Sequence, residues 1–114
     1  MSDMDDEKIK QLQELIELDQ EDADLPFLLG KALLDAGRFT QATEQLSTAA
    51  QKNPRLAAVW RFWGEALRDA GRPENAKRVW TEGISLSEET CDFQAGKEMK
   101  ALLRRFMRTE AESE

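Results

Sequence analysis

Apolar residues recur along this chain at intervals of three and four, in six stretches separated by glycine, proline and short polar runs. Residues 8 to 18 set Ile9, Leu12, Leu15 and Ile16 on one stripe among Lys, Gln and Glu. Leu29 and Leu33 follow, then Ala42, Leu46 and Ala49, then Trp60, Trp63 and Leu67, then Ala76, Trp80 and Gly83. Met99, Leu102, Leu103, Phe106 and Met107 form the last set, with Lys97, Lys100, Arg104 and Arg105 on the opposite side. A period of about 3.6 residues gathers each set on one face of a helix. The pattern predicts helices near 5–18, 23–36, 39–52, 57–70, 73–86 and 93–108, with no strand.

The stretches are written in pairs. Gly30 and Gly64 lie 34 residues apart, and the same shift lays Gly37 on Gly71, Ala42 on Ala76, Leu46 on Trp80 and Pro26 on Trp60. Each unit runs as a helical pattern to a glycine, breaks, and resumes, so each unit predicts a hairpin of two helices. Gly30 and Gly64 lack a side chain where the first helix must approach the second, and Ala42, Ala49, Ala76 and Gly83 are small for the same reason. Gly37 and Gly71 are placed to end the first helices in the left-handed conformation. Pro73 is placed to open the next helix, where its missing N–H would have had no acceptor.

This period and these residues resemble the tetratricopeptide repeat, whose pattern runs Trp, two residues, Leu-Gly, two residues, Tyr, then Ala, three residues, Phe, and finally Pro. Trp60, Trp63-Gly64, Leu67, Ala76 and Trp80 carry it in the second unit; Pro26, Leu29-Gly30, Leu33, Ala42, Leu46 and Pro54 carry it in the first. The first unit departs at Pro26 and the second at Glu88. The resemblance implies an all-α fold, a short solenoid of hairpins at 23–56 and 57–90. A hairpin of this kind cannot bury its apolar face alone, so the flanks should cover it. Residues 1–22 are expected to form an acidic leader and the second helix of an incomplete leading repeat, since Leu12 aligns with Leu46 and Leu15 with Ala49. Residues 91–108 are expected to form a capping helix, and 109–114 a short polar tail that frays. The run from Phe93 to Met99, closing in Leu103-Arg104-Arg105, also resembles the ending of a group of small bacterial single-domain repeat proteins, a likeness that implies no particular activity.

In this family the first helices of successive repeats line a concave groove that binds peptides or partner helices. Carried onto this chain, the groove offers Phe27, Lys31 and Leu34 from one helix and Ala58, Arg61, Phe62, Glu65 and Arg68 from the next. The implied function is a non-enzymatic adaptor for a protein or peptide partner, acidic and with apolar anchors. The alternative is a homodimeric structural module that buries the groove or the cap face, and monomer or weak homodimer are both open. One subgroup holds the free carboxylate of chaperone tails with a Lys-Asn-Asn-Lys-Arg clamp. Here Phe27 and Lys31 stand where that clamp has Lys and Asn, and Phe62 where it has Asn, so the clamp is not formed.

Charge and composition narrow the classes further. At 114 residues and 40% hydrophobic, the chain suffices for one domain with a modest core. Its net charge is -7, and residues 1–25 hold ten acids against Lys8 and Lys10, whereas residues 26–80 hold nine bases and five acids. The acidic balance argues against nucleic acid, which calls for a basic stripe. The acidic N-terminus reads as a solvated leader; the sharper reading has it fold back onto the basic repeats and compete with a ligand. There is no histidine, which removes the commonest general base and the usual nucleophile pairs. Cys91 is the only cysteine, so neither an internal disulfide nor a cysteine metal cluster is possible. The carboxylate groups at Asp5, Asp6, Glu7 and at Glu21, Asp22, Asp24 lack calcium-loop spacing, and no glycine-rich phosphate loop occurs, so neither metal nor cofactor is expected. No apolar run approaches the roughly 20 residues of a membrane span, and the acidic N-terminus is unlike a secretory signal, so no membrane partner and a cytoplasmic location are expected.

Overall fold

The computed structural model describes residues 3–113, with no account of the Asp3 side chain. Six helices follow in file: α1 (Asp3–Leu18), α2 (Asp24–Asp35), α3 (Phe39–Lys52), α4 (Ala57–Asp69), α5 (Pro73–Thr90) and α6 (Phe93–Ser113). Among the described residues there is no strand.

Two turns of the same construction fold α2 onto α3 and α4 onto α5. Gly37 and Gly71 take φ of 78° and 80°, the left-handed region that a side chain disfavours. Behind them the N–H of Arg38 reaches the Leu33 carbonyl at 2.9 Å, and that of Arg72 the Leu67 carbonyl at 2.8 Å. These bonds satisfy carbonyls that the helix end would leave without partners. Acidic side chains cap two helices. The Asp22 carboxylate accepts from the N–H groups of Asp24 and Leu25 at 2.7 and 3.2 Å, and Asp92 accepts from Ala95 at 3.2 Å.

The paired helices close on their glycines. A Cβ added to Gly30 would lie 2.6 Å from Leu46 Cγ, and one added to Gly64 would fall inside the Trp80 indole. Around these contacts the core forms three clusters, and the partly buried Trp63 packs against each of them. Ile9, Leu12, Leu29, Leu33 and Leu46 fill the N-terminal end, Ala49, Ala50 and Val59 the middle, and Leu67, Trp80, Ala95 and Met99 the C-terminal end. Trp80, Leu46, Val59 and Met99 retain no exposed surface.

Three expectations are corrected. Leu15 and Met107 are 47% and 53% exposed, although each was read as part of an inward stripe. Among the described residues α1 meets only α2, along the narrow line Ile9, Leu12 and Ile16, and Leu15 lies off that line. Met107 sits about 100° round the helix from Phe106, away from the Met99 and Leu102 face. Finally, the tail is helical through Ser113, with Glu114 outside the described residues. Lys77 ties it down, pairing with Glu110 and with Glu74, each at 3.0 Å.

α5 also runs on to Thr90, beyond the expected 86. Ser87 is buried and donates to the Ile84 carbonyl at 2.6 Å, which meets its hydrogen-bonding need inside the helix. Gly96 packs directly on it. Cys91 then ends the helix in the left-handed region, with φ of 61°. Among the described residues the acidic leader does not reach across to the repeats' inner side: α1 lies on α2, Asp6 pairs with Arg38 in the first turn, and Lys52 donates to the Gln20 carbonyl.

Candidate functional site

The first helices of the hairpins approach one another directly, α2 against α4 and α4 against α6, whereas α3 and α5 do not meet among the described residues. The closely spaced side of a curved stack is its concave side. α6 therefore stands on that face as a third first-type helix as well as covering the end of the second hairpin.

Phe27 of α2 and Phe62 of α4 meet across this face with ring centroids 5.7 Å apart and planes tilted by 58°. The Lys31 ammonium lies 5.3 Å from one centroid and 5.0 Å from the other, and the Arg61 guanidinium lies 4.5 Å from that of Phe62. Cations over aromatic faces are drawn to the negative quadrupole. The arrangement holds Lys31 extended along the rings and Phe62 between two cations. Both rings are half-buried because their inner edges also pack on the N-terminal core.

Beside the stack lies a partly dry charge cluster. Arg61 Nε is 3.1 Å from the Glu98 carboxylate of α6 and 3.8 Å from Glu65 Oε2. The first separation has ion-pair length without the alignment of a hydrogen bond, and the second is too long for one. Arg61 Nε and Glu65 Oε2 are both buried atoms without a hydrogen-bond partner in the protein. Burial raises the Glu65 pKa above its ordinary 4.5, and the attractions of Arg61 and Arg68 only partly offset this.

Of the eight expected site residues, all are half-buried, and Phe27, Lys31, Arg61, Phe62 and Glu65 converge. Leu34 packs on the N-terminal core. Arg68 turns to its neighbour Asp69 at 2.9 Å, with its guanidinium 6.0 Å from the Trp80 ring centroid. Ala58 adds a small surface at the start of α4. Glu98 was missed because the 34-residue shift aligns it with Gly64, facing the hairpin partner. A shift of 36 lays Val59 on Ala95, Trp63 on Met99 and Leu67 on Leu103, matching apolar with apolar, and puts Phe62 on Glu98. The longer α5 accounts for the extra two residues.

A cleft of about 530 Å³ opens elsewhere, between α3 and α5, with Thr43, Trp63, Arg72 and Arg78 in its walls; none of the eight residues lines it. Cys91 is exposed at the helix end. No group of three or more potential metal ligands occurs among the described residues, and no helix there is long and apolar enough to cross a membrane.

Antiparallel helix pairs stacked in file, joined by glycine turns and presenting their first helices on one concave face, define a helical-repeat protein. The chain belongs to the tetratricopeptide repeat family. The family's pattern matches residues 9–62. The TPR repeat-containing protein PA0015 of Pseudomonas aeruginosa is 34% identical over 100 residues, spanning 88% of this chain and 95% of the relative. Protein BPP2914 from Bordetella parapertussis, solved in solution, superposes with a TM-score of 0.80 at 26% identity over 90% of each chain. The TPR2B domain of yeast Sti1, in a complex with pHsp70, superposes with a TM-score of 0.82 over 89% of this chain and 81% of that one; at 18% identity it speaks for the fold alone. Proteins of this family are generally non-enzymatic scaffolds, and the fold generally mediates protein–protein interaction.

Proposed function

We propose that this chain is a non-enzymatic adaptor that binds an extended peptide or a helix of a partner protein on the concave face of α2, α4 and α6. The observation that supports this reading best is the half-buried Phe27–Phe62 ring pair on that face, with Lys31 and Arg61 set against the rings. A peptide's apolar side chains would cover the ring edges, and its polar groups would meet the cations beside them. Aromatic anchors and arginines are the residue types that dominate interface energies.

The groove is more nearly charge-balanced than the cations alone suggest. Glu98 already lies on Arg61 and Asp69 on Arg68. An acidic ligand would have to displace Glu98, and Lys31 would then add a second cation beside the rings. Selection of a displayed peptide library against the wild-type protein, followed by titration of the enriched peptides, tests the reading. Those peptides should bind at least about tenfold more weakly to Phe62→Ala, the loss expected of a hot-spot aromatic worth over about 1.4 kcal/mol. Phe62→Ala should keep its helical circular dichroism. A folded variant that still binds every selected peptide moves the binding surface elsewhere.

A further inference from the structure

The two ends of the molecule carry exposed stripes that match in length and oppose in charge. On α1, Met4 and Leu18 are 82% and 83% exposed and bracket Glu7, Gln11 and Glu14, with the exposed Leu15 and Lys8 on the same side, so that the acids outnumber the one cation. On α6, Phe93 and Met107 are 66% and 53% exposed and bracket Lys97, Lys100 and Arg104. Neither stripe is covered by another helix among the described residues; α1 meets only α2, and α6 meets α4 and α5 through its other side. Each pair of apolar ends is separated by 14 positions, about 21 Å at the helical rise of about 1.5 Å per residue.

Set antiparallel, the stripes coincide position by position. Leu18 falls on Phe93, Glu14 on Lys97, Glu7 on Arg104 and Met4 on Met107. Leu15 falls on the shallow cleft of about 360 Å³ between α6 and the end of α5, where Gly96 is itself buried against Ser87 and Glu88 forms part of the wall. A parallel arrangement brings Met4 to Phe93 but leaves Leu15 against Arg104. The cations and the apolar ends thus select both the partner face and its direction.

We propose that this chain associates head to tail, α1 of one copy docking antiparallel on the outer face of α6 of the next. The two faces differ, so the contact is heterologous and propagates through further copies rather than ending at a symmetric pair. Glu98 lies on another side of α6, so the face carrying Phe62 and Arg61 stays open along the assembly. Opposite charges across the contact make association fall with salt, as screening shortens from about 10 Å at 0.1 M to about 3 Å at 1 M.

Sedimentation of the whole chain from about 10 μM to about 1 mM, the range suited to an interface below the standard roughly 1,600 Å², tests this. The weight-average mass should rise more than twofold across the range at low salt and fall back towards the monomer at high salt. Two charge-reversed proteins sharpen the test, Glu7→Lys with Glu14→Lys, and Lys97→Glu with Arg104→Glu, all at exposed positions. Each alone should remain monomeric with unchanged circular dichroism. An equimolar mixture should associate again, because each protein then offers the face that the other's reversed stripe requires. A wild-type mass that stays monomeric at the highest concentration, or a mixture that stays monomeric while the wild type associates, overturns the proposal.

Discussion

Trp80 donates its indole N–H to the main-chain carbonyl of Arg61 at 3.1 Å, while its ring lies over Gly64 without exposed surface. One residue of α4 therefore accepts the buried bond of the hairpin through its carbonyl and presents its guanidinium to Phe62 and Glu98 through its side chain. Core and concave face are joined at a single peptide unit.

Truncating that contact should be the most damaging single change in the second hairpin. Trp80→Ala removes a fully buried ring and its hydrogen bond, and should cost about 3–5 kcal/mol of the roughly 5–15 kcal/mol that holds a small domain folded. Trp80→Phe keeps much of the volume and loses the bond, and should cost less. Denaturant midpoints read both values. A Trp80→Ala protein whose midpoint hardly moves would show that the indole is not packed.

The glycines separate two physical roles. Gly71→Ala meets nothing within 4 Å but sits at φ of 80°, so its cost is backbone strain, about 1–2 kcal/mol. Gly64→Ala drives a methyl into the Trp80 ring, and overpacking of this kind costs about 1–3 kcal/mol. The discriminating measurement is coupling to Trp80→Leu: the Gly64→Ala loss should shrink in that background and the Gly71→Ala loss should not. Equal coupling for both would make the Gly64 effect a backbone one.

Much of this was legible in the residues. The hairpins follow from glycines and alanines at fixed offsets, because close helix approach and left-handed turns admit few residue types, and the helices accordingly begin within two residues of their expected positions. Helix ends were less legible: α5 and α6 run on because Ser87 is satisfied within its helix and Lys77 holds Glu110, contacts that no local pattern announces. The cluster on the concave face was legible from α2 and α4 but not from α6. Glu98 reaches Arg61 only because the third first-type helix is set back two residues, and one carboxylate on a charged helix carries no signal of which neighbour it meets. The exposure of Leu15 had the same origin, since a helix with a single neighbour buries a narrower stripe than its apolar residues could fill.

Acidity should reveal the dry carboxylate. Burial holds the Glu65 pKa above its ordinary 4.5 in the folded protein, so the protonated form is the one that folding favours. The stabilisation from that proton is fully present below 4.5 and is lost as pH rises through the folded value. Glu65→Gln keeps the site neutral throughout. The variant should therefore gain on the wild type as pH rises from about 4 to about 7, read as the difference between their denaturant midpoints, in which the other carboxylates cancel. A variant that loses ground over that interval would mean that attraction to Arg61 outweighs desolvation.

Glu98 supplies the sharpest test of how the concave face takes an acidic ligand. Its carboxylate lies 3.1 Å from Arg61 Nε and neutralises the cation. A ligand carboxylate has to compete with it. Glu98→Gln removes that competition, and because partly exposed ion pairs are worth roughly 0.2–1 kcal/mol, acidic peptides should bind about 1.4- to fivefold more tightly to the variant. Neutral peptides should show little change. The gain should disappear when Arg61→Gln is added, since both effects run through the same guanidinium. Calorimetric titration of one acidic peptide and its amide counterpart against the four proteins measures the coupling directly. Unchanged or weakened binding of the acidic peptide to Glu98→Gln would show that Glu98 orients Arg61 for the ligand and does not compete with it.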